Sequence, residues 1–470
     1  MRLTGRQAED RRMIREQLHP DDSFDLVARD IIIGGRPASF YFVDGFMKDG
    51  VFEKVLQFLL GLTADQLQDI IDMDAFAQRF MPYVEADTEQ DVDKMVTGIL
   101  SGQTLILIDG MSDGLLVDAR TYPMRGVGPP EKEKVLRGSR DGFVETLVMN
   151  TAMIRRRIRD TALRVQSMQV GRMSKVDVAL VYIEGLANPA EVEKIRSRLS
   201  SIRVDSVSMT QEAICEAAVD YHWINPFPKV KFSERPDYTA ACVMEGRIAV
   251  VMDNSPSVMI LPASFADFMK EADDYYFPPL TSSYLKIARI LISMLTVFLT
   301  PFFLYLLNNE SLIPPAFEFI KIANPVVMPV FVQFLLLELV IDTLRLASTN
   351  TPSMMSNAMG IIGGLLLSEF AIQSGWFASE IILYMAFVAI SSYAQPSFEM
   401  GYAFKFFRVF LLILTQIFGL WGFFGGVIVM IVSLICTKTI TGKGYFYPII
   451  PFNLRDFRKL FIRKKLKNEK

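Results

Sequence analysis

The chain has 470 residues, of which 51% are hydrophobic, and its formal net charge is −3. A charge so close to neutral gives no reason to expect a nucleic-acid partner. The only histidines are His19 and His222, and the cysteines Cys215, Cys242 and Cys436 are widely spaced. Neither a histidine-rich metal site nor a disulfide framework is therefore expected.

The first 280 residues predict a soluble α/β region made of two subdomains. Residues 1–22 are charged throughout and are expected to form a loosely ordered arm, not a cleaved signal peptide. Residues 23–134 make up the first predicted subdomain. Within it, residues 103–108 and 114–118 indicate a β-hairpin, because turn-forming residues separate two strand-like runs.

The second predicted subdomain covers residues 135–280 and follows a polar, proline-bearing stretch at residues 126–134. A helix is predicted at residues 190–199, and a second β-hairpin at residues 240–244 and 247–252. Strands that alternate with helices favour α/β packing in both subdomains.

Apolar blocks dominate the chain beyond residue 286 and predict an α-helical, polytopic membrane bundle at residues 281–437. The uncharged block at residues 287–307 is long enough to cross a hydrocarbon core of about 30 Å as a helix. The further apolar blocks lie at residues 326–347, 358–379, 381–394 and 409–436.

The sequence allows four to six membrane spans. The last block is either one long tilted helix or a hairpin broken at residues 419–426, and residues 326–347 either cross the membrane or lie along its interface. We expect four spans, with residues 326–347 partly embedded. The basic tail at residues 438–470 and the long region ahead of the first apolar block place both ends on the cytoplasmic side.

Charged residues inside the apolar blocks are the first candidates for function. Glu338, Asp342 and Arg345 are spaced i, i+4 and i+7, so they share one helix face. A charge at mid-bilayer costs about 3 kcal/mol, so such groups usually face a pore, a partner or each other. The alternative is an interfacial helix with its charges in water. Glu369 is a further candidate for a pore-facing or partner-facing charge.

Two pairs of glycines, Gly360 with Gly364 and Gly422 with Gly426, follow the GxxxG pattern. Small residues four positions apart allow close approach between membrane helices. These glycines are therefore candidates for helix packing, unless the pattern only reflects an apolar composition.

A basic cluster of four arginines lies in the soluble region and is a candidate for contact with anionic lipid. Its members are Arg155, Arg156, Arg157 and Arg159. The alternative is a solvated helix end, where cations also complement the helix dipole.

No motif of a nucleotide-binding loop, zinc protease or nucleophile elbow is found, so no catalytic, cofactor-binding or metal-binding residue is expected. Two classes of protein remain. One is a channel or transport-complex subunit with a cytoplasmic region, and the other is a membrane-anchored enzyme without a recognisable signature.

Four ordered stretches, at residues 145–160, 170–189, 233–237 and 245–268, resemble the A-subunit family of GerA-type spore germination receptors. The similarity continues through the apolar half and covers residues 24–436. The blocks are long, so the resemblance is more specific than any short motif above.

The resemblance implies a location in the inner membrane of a bacterial endospore and no enzymatic activity. It implies a subunit of a spore germination complex that self-associates, as a pentamer in the family's pattern, into an ion-conducting channel. Expected partners are a permease-like subunit, a lipoprotein subunit or other spore membrane proteins, together with membrane lipid. The alternative is a non-conducting scaffold or accessory subunit of the machinery that releases dipicolinic acid.

Overall fold

The computed structural model describes residues 2–83, 85–122, 138–204, 210–220, 222–324, 326–350 and 372–463. The chain divides into two compact units. The two-sheet unit comprises Met1–Asp220 and Val230–Pro262, and the helical unit comprises Tyr221–Lys229 and Ala263–Lys470. Residues 263–280, expected in the second subdomain, therefore belong to the helical unit.

In the described part of the chain, two five-stranded antiparallel sheets form the framework of the two-sheet unit. The first contains β1 Leu26–Ile33, β2 Arg36–Val43, β3 Ala86–Glu89, β4 Thr104–Ile108 and β5 Gly114–Val117. The second contains β6 Leu163–Val170, β7 Val176–Ile183, β8 Lys231–Ser233, β9 Ile248–Met252 and β10 Val258–Leu261. The strand orders are β1-β2-β4-β5-β3 and β6-β7-β9-β10-β8, which confirms the predicted α/β region and the β4–β5 hairpin.

Helices cover the sheets. They are α1 Gln7–Leu18, α2 Asp49–Leu60, α3 Ala64–Leu67, α4 Met73–Phe80, α5 Val92–Leu100, α6 Leu147–Arg155, α7 Pro189–Ser200, α8 Thr210–Ala218 and α9 Pro236–Met244. Local residues set the start of α7. Pro189 occupies the first turn, and the Asn188 side chain caps the helix by accepting a hydrogen bond from the Ala190 amide at 3.0 Å.

The two halves of the two-sheet unit repeat one topology: helix, β-hairpin, helical segment, strand, helix, β-hairpin. The repeat extends to single hydrogen bonds. Asp109, which follows β4, accepts from the backbone amide of Gln7 at 3.0 Å, and Asp253, which follows β9, accepts from that of Leu147 at 3.0 Å. Because Gln7 and Leu147 each begin a helix, α1 is the counterpart of α6.

Helix α1 corrects the expectation of a loosely ordered arm at residues 1–22. Ile14 and Leu18, which are i and i+4 on one helix face, are fully buried against the first sheet. Asp10 accepts hydrogen bonds from the amides of Thr4 and Gly5 at 2.7 and 3.0 Å, and thereby fixes the turn before the helix. Most charged side chains of α1 lie on its outer face. The apolar stripe on the inner face is short, so it is difficult to recognise in the sequence.

Helix α9 corrects a second expectation, the hairpin predicted at residues 240–244 and 247–252. The first of these segments is helical, and β9 pairs with β7 and β10. Most of α9 is buried, so it has no polar face and its sequence lacks the periodicity that identifies an amphipathic helix. Its counterpart in the first half is α5, which is also largely buried.

The helical unit contains seven α-helices among the described residues. They are α10 Phe265–Phe268, α11 Asp273–Tyr276, α12 Pro279–Asn308, α13 Val330–Asn350, α14 Ser379–Tyr393, α15 Phe398–Cys436 and α16 Leu454–Phe461. Two of them, α12 and α15, are long and apolar enough to cross a membrane. The block predicted at residues 358–379 lies mostly outside the described residues.

Helix α15 reverses direction at Gly419, whose φ of 58° and ψ of −134° interrupt the helical backbone. A side chain at Gly422 would overlap the carbonyl oxygen of Leu414, although a continuous helix separates residues eight positions apart by about 12 Å. The chain therefore folds back into a first arm (residues 398–418) and a second arm (residues 420–436). This is the hairpin alternative for the last apolar block, and it corrects the expectation of one continuous helix.

Candidate functional site: a buried ion cluster in the helical unit

The candidate site lies where α13 packs beside the first arm of α15. Helix α13 carries Glu338, Asp342 and Arg345 on the shared face that their spacing predicts. The first arm supplies Lys405 and Arg408, one helical turn apart, and these two cations contact the two acidic residues of α13. Two carboxylates and two cations therefore meet between two largely apolar helices.

Glu338 and Arg408 form the centre of this ion cluster. The guanidinium binds both carboxylate oxygens, with Nε to Oε1 at 2.5 Å and Nη2 to Oε2 at 2.9 Å. Its remaining Nη1 donates to the backbone carbonyl of Thr296 in α12 at 3.0 Å. Both side chains are buried, so the pair ties together three helices that are distant in sequence.

Lys405 joins the second acidic residue to the cluster. Its ammonium group lies 3.7 Å from Glu338 Oε2 and contacts the carboxylate of Asp342 directly. The side chain of Asp342 keeps 32% of its surface exposed, against 5% for Glu338. Asp342 is therefore the open edge of an otherwise buried, charge-balanced cluster.

Arg345 lies one turn beyond Asp342 in an aromatic environment. Its guanidinium carbon is 5.1 Å from the ring centroid of Tyr393, 5.0 Å from that of Phe398 and 5.1 Å from that of Tyr402. Cation–π attraction to three rings compensates for part of the hydration free energy that the guanidinium loses on burial. The end of α13 is thereby held to α14 and to the start of α15.

Energetics favour the paired arrangement over any single charge. Removing two ions from water costs several kcal/mol each, and only good geometry with further hydrogen bonds offsets that cost. The bidentate Glu338–Arg408 contact meets this requirement. Lys405 and Arg408 carry the same signal as the acidic residues, namely charges within an apolar helix, yet they precede the block at residues 409–436 and were not among the predicted site residues.

The remaining predicted residues of the apolar half divide into two groups. Gly422 and Gly426 lie on the second arm of α15, where it meets the first arm. A Cβ atom at Gly426 would come within 2.5 Å of Leu411 Cδ2. Gly360, Gly364 and Glu369 lie outside the described residues.

The basic cluster of the two-sheet unit does not form one patch. Arg155 is fully buried and binds Asp25 through Nε at 2.7 Å and Nη2 at 3.1 Å, so it is not a lipid contact. It joins the two halves of the two-sheet unit. Arg156 is exposed with its guanidinium carbon 4.2 Å from the ring centroid of Tyr122, and Arg159 is exposed.

Arg157 is committed to an internal carboxylate. It binds Asp141, which also accepts a hydrogen bond from Ser139. Burial by itself would raise the pKa of Asp141, but the hydrogen bonds from Ser139 and Arg157 outweigh burial and lower it. Among the four arginines, only Arg156 and Arg159 therefore remain open to an external anion.

No group of three or more His, Cys, Asp and Glu side chains that could hold a metal ion occurs among the described residues.

The family model described as Bacillus/Clostridium GerA spore germination protein matches residues 12–470. The chain belongs to this GerA family.

Relatives within the GerA family match the chain over almost its whole length. Stage V sporulation protein AF of Bacillus subtilis (strain 168) is 32% identical, over 98% of this chain and 93% of the relative. Spore germination protein GerLA of Bacillus cereus is 28% identical, over 98% of this chain and 94% of the relative. The chain is thus similar to a sporulation protein and to a germination protein over 98% of its length.

A solved structure, the N-terminal domain of the A subunit of the Bacillus megaterium spore germinant receptor GerK3, is 28% identical to the chain. It covers 56% of this chain and 98% of its own, with a TM-score of 0.42.

Proposed function

We propose that this chain is a non-enzymatic membrane subunit of a spore germination complex and that several copies form an ion-conducting channel. Membership of the GerA family supports the role in germination. Two helices of spanning length support placement in a membrane, which we assign to the inner membrane of the endospore with both ends of the chain on the cytoplasmic side. Permease-like and lipoprotein germination subunits are the proposed partners.

The ion cluster is the observation that carries the channel proposal. Ionisable groups between apolar helices are costly, and in membrane proteins they usually pair with one another and mark ion pathways or water-filled cavities. Glu338 is buried between Arg408 and Lys405, whereas the side chain of Asp342 is 32% exposed. A carboxylate at the edge of a water-filled path attracts cations and raises their local concentration. We therefore assign to Asp342 the contact with the permeating ion.

The test measures cation flux through the full chain in liposomes, for wild type and for Asp342→Asn. We expect a flux that falls several-fold in the variant, with a weaker preference for cations over anions. Glu318→Gln is the matched control, because it removes one carboxylate from an exposed pair with Lys321 in the same unit.

Two outcomes would contradict the proposal. Equal flux and selectivity in wild type and Asp342→Asn would give the ion cluster a purely structural role. Absence of flux from the chain alone, with flux restored by a permease-like partner, would favour the non-conducting accessory subunit.

A further inference from the structure

Helix α16 is short, basic and amphipathic. Leu454, Phe457 and Phe461 are spaced i, i+3 and i+7 and share one face. Arg458 lies at the edge of that face beside Leu454, and Arg455 lies further round on the polar side. Leu454 is exposed, and so is Phe452 just before the helix, with 64% of its surface accessible. The helix therefore presents apolar and cationic side chains next to each other at the surface of the helical unit.

Several contacts fix the helix in place. The Asn453 side chain accepts hydrogen bonds from the amides of Arg455 and Asp456 at 3.1 and 3.3 Å. The hydroxyl of Tyr447 donates to the carboxylate of Asp456. The ring of Phe457 lies 5.6 Å from that of Phe452 and 5.2 Å from that of Phe461. These contacts hold the exposed apolar edge of α16 in a defined position on the helical unit.

The position of α16 is set by the start of α12. The Arg463 amide donates to Ser283 Oγ at 3.0 Å, and its guanidinium donates to the carbonyl of Phe277. One face of α12 is an exposed apolar stripe. The stripe comprises Leu280, Tyr284, Ile287, Leu291, Met294 and Phe302.

The length of this stripe locates α16 relative to a bilayer. From residue 280 to residue 302 a helix rises about 33 Å, close to the roughly 30 Å of a hydrocarbon core. Ser283 lies at one end of the stripe, so α16 is attached at the level where the apolar surface of α12 begins. Tyr284, exposed at the same level, is a residue type that favours the headgroup zone.

We propose that α16 lies in the headgroup layer of the membrane and that Arg455 and Arg458 bind anionic lipid. The exposed Phe452 and Leu454 enter the boundary of the acyl chains while the guanidinium groups meet phosphate oxygens, the arrangement typical of interfacial helices. A second copy of the chain is a poorer occupant, because a symmetric contact brings the same arginines against each other. The inference rests on the membrane placement proposed above but not on ion conduction.

The test uses the full chain in lipid nanodiscs with a fluorescent bimane at Leu454→Cys. Cys436→Ser removes the exposed native thiol, while Cys215 and Cys242 are buried. We expect nitroxide-labelled lipids with the nitroxide near the headgroup to quench the bimane in discs containing phosphatidylglycerol. Arg455→Gln with Arg458→Gln should weaken the lipid contact roughly fivefold per arginine, and high salt should act in the same direction.

A matched control removes two exposed arginines elsewhere. Arg6→Gln with Arg12→Gln changes the net charge equally, and each residue has only a surface partner on α1. Quenching should be unchanged in this control. No quenching in any lipid mixture would overturn the proposal, and so would bimane-to-bimane proximity between two copies. Either result can occur with ion flux intact, so it is distinguishable from failure of the channel proposal.

Discussion

Buried arginines hold both units together at points where distant segments meet. Arg155 binds Asp25 in the two-sheet unit, and Arg408 binds Glu338 in the helical unit, each through two hydrogen bonds to the carboxylate. A buried pair contributes little net free energy of folding, but removing one partner leaves an uncompensated charge that costs about 3–5 kcal/mol. Each pair therefore specifies which segments meet.

Asp25→Ala should lower the free energy of unfolding of the two-sheet unit by about 3–5 kcal/mol, because it leaves the buried Arg155 without its carboxylate partner. Asp25→Leu combined with Arg155→Met should recover much of that loss. Urea unfolding of a fragment of residues 1–262, followed by circular dichroism, measures both. Asp21→Ala is the control, since Asp21 forms only an exposed pair with Arg15. Equal losses at Asp21 and Asp25 would contradict the prediction.

The face shared by Glu338, Asp342 and Arg345 follows from helical spacing alone. Their partners Lys405 and Arg408 could not be predicted, because tertiary packing decides which helix lies opposite. The arginine cluster does not form one patch for a geometric reason: α6 ends at Arg155, and the other three arginines follow in the turn and loop after it, where the chain changes direction.

The hairpin of α15 depends on two glycines, which have no side chain beyond hydrogen. Gly422 approaches the backbone of Leu414, and Gly426 approaches Leu411, so the two arms pack closely near the reversal at Gly419. Gly425 lies on the same arm, yet a Cβ atom there would meet nothing within 4 Å. This contrast gives a matched pair of substitutions.

Gly422→Ala should destabilise the helical unit by about 1–3 kcal/mol, the usual cost of overpacking a filled site. Gly425→Ala should change stability little, because the added methyl group meets open space. Thermal unfolding of the purified chain in detergent measures both variants. Equal midpoints for the two would mean that the arms do not pack as closely as the structure shows.

Elements with strong local signals follow from the sequence, and elements shaped by burial do not. Helix α7 is predicted by its Asn-Pro start, and β4 with β5 by the turn between them. Helix α9 is surrounded by apolar contacts, so the period that separates a helix from a strand is absent. The topological repeat identifies this segment as a helix where the hydrophobic pattern does not, because the position of α9 matches that of α5 in the other half.

The chain contributes to the two units alternately. Tyr221–Lys229 leaves the two-sheet unit between α8 and β8 and belongs to the helical unit. There the ring of Phe227 stacks on that of Phe407 with centroids 5.1 Å apart, and Asn225 donates to the Thr437 hydroxyl at 2.6 Å. No composition shift marks this segment, so sequence reasoning places it in the soluble region.

This assignment predicts that Phe227 stabilises the helical unit and not the two-sheet unit. Phe227→Ala should leave the unfolding midpoint of the fragment of residues 1–262 unchanged, because the partners Phe407 and Tyr445 are absent from it. In the full chain the same substitution should destabilise the helical unit by about 3–5 kcal/mol, the typical cost of truncating a buried phenylalanine. Trp223→Ala is the control, since Trp223 in the same segment is 99% exposed and should change neither protein. Calorimetry of both proteins in matched detergent separates the outcomes. A lower midpoint of the fragment with Phe227→Ala would show that the segment belongs to the two-sheet unit after all.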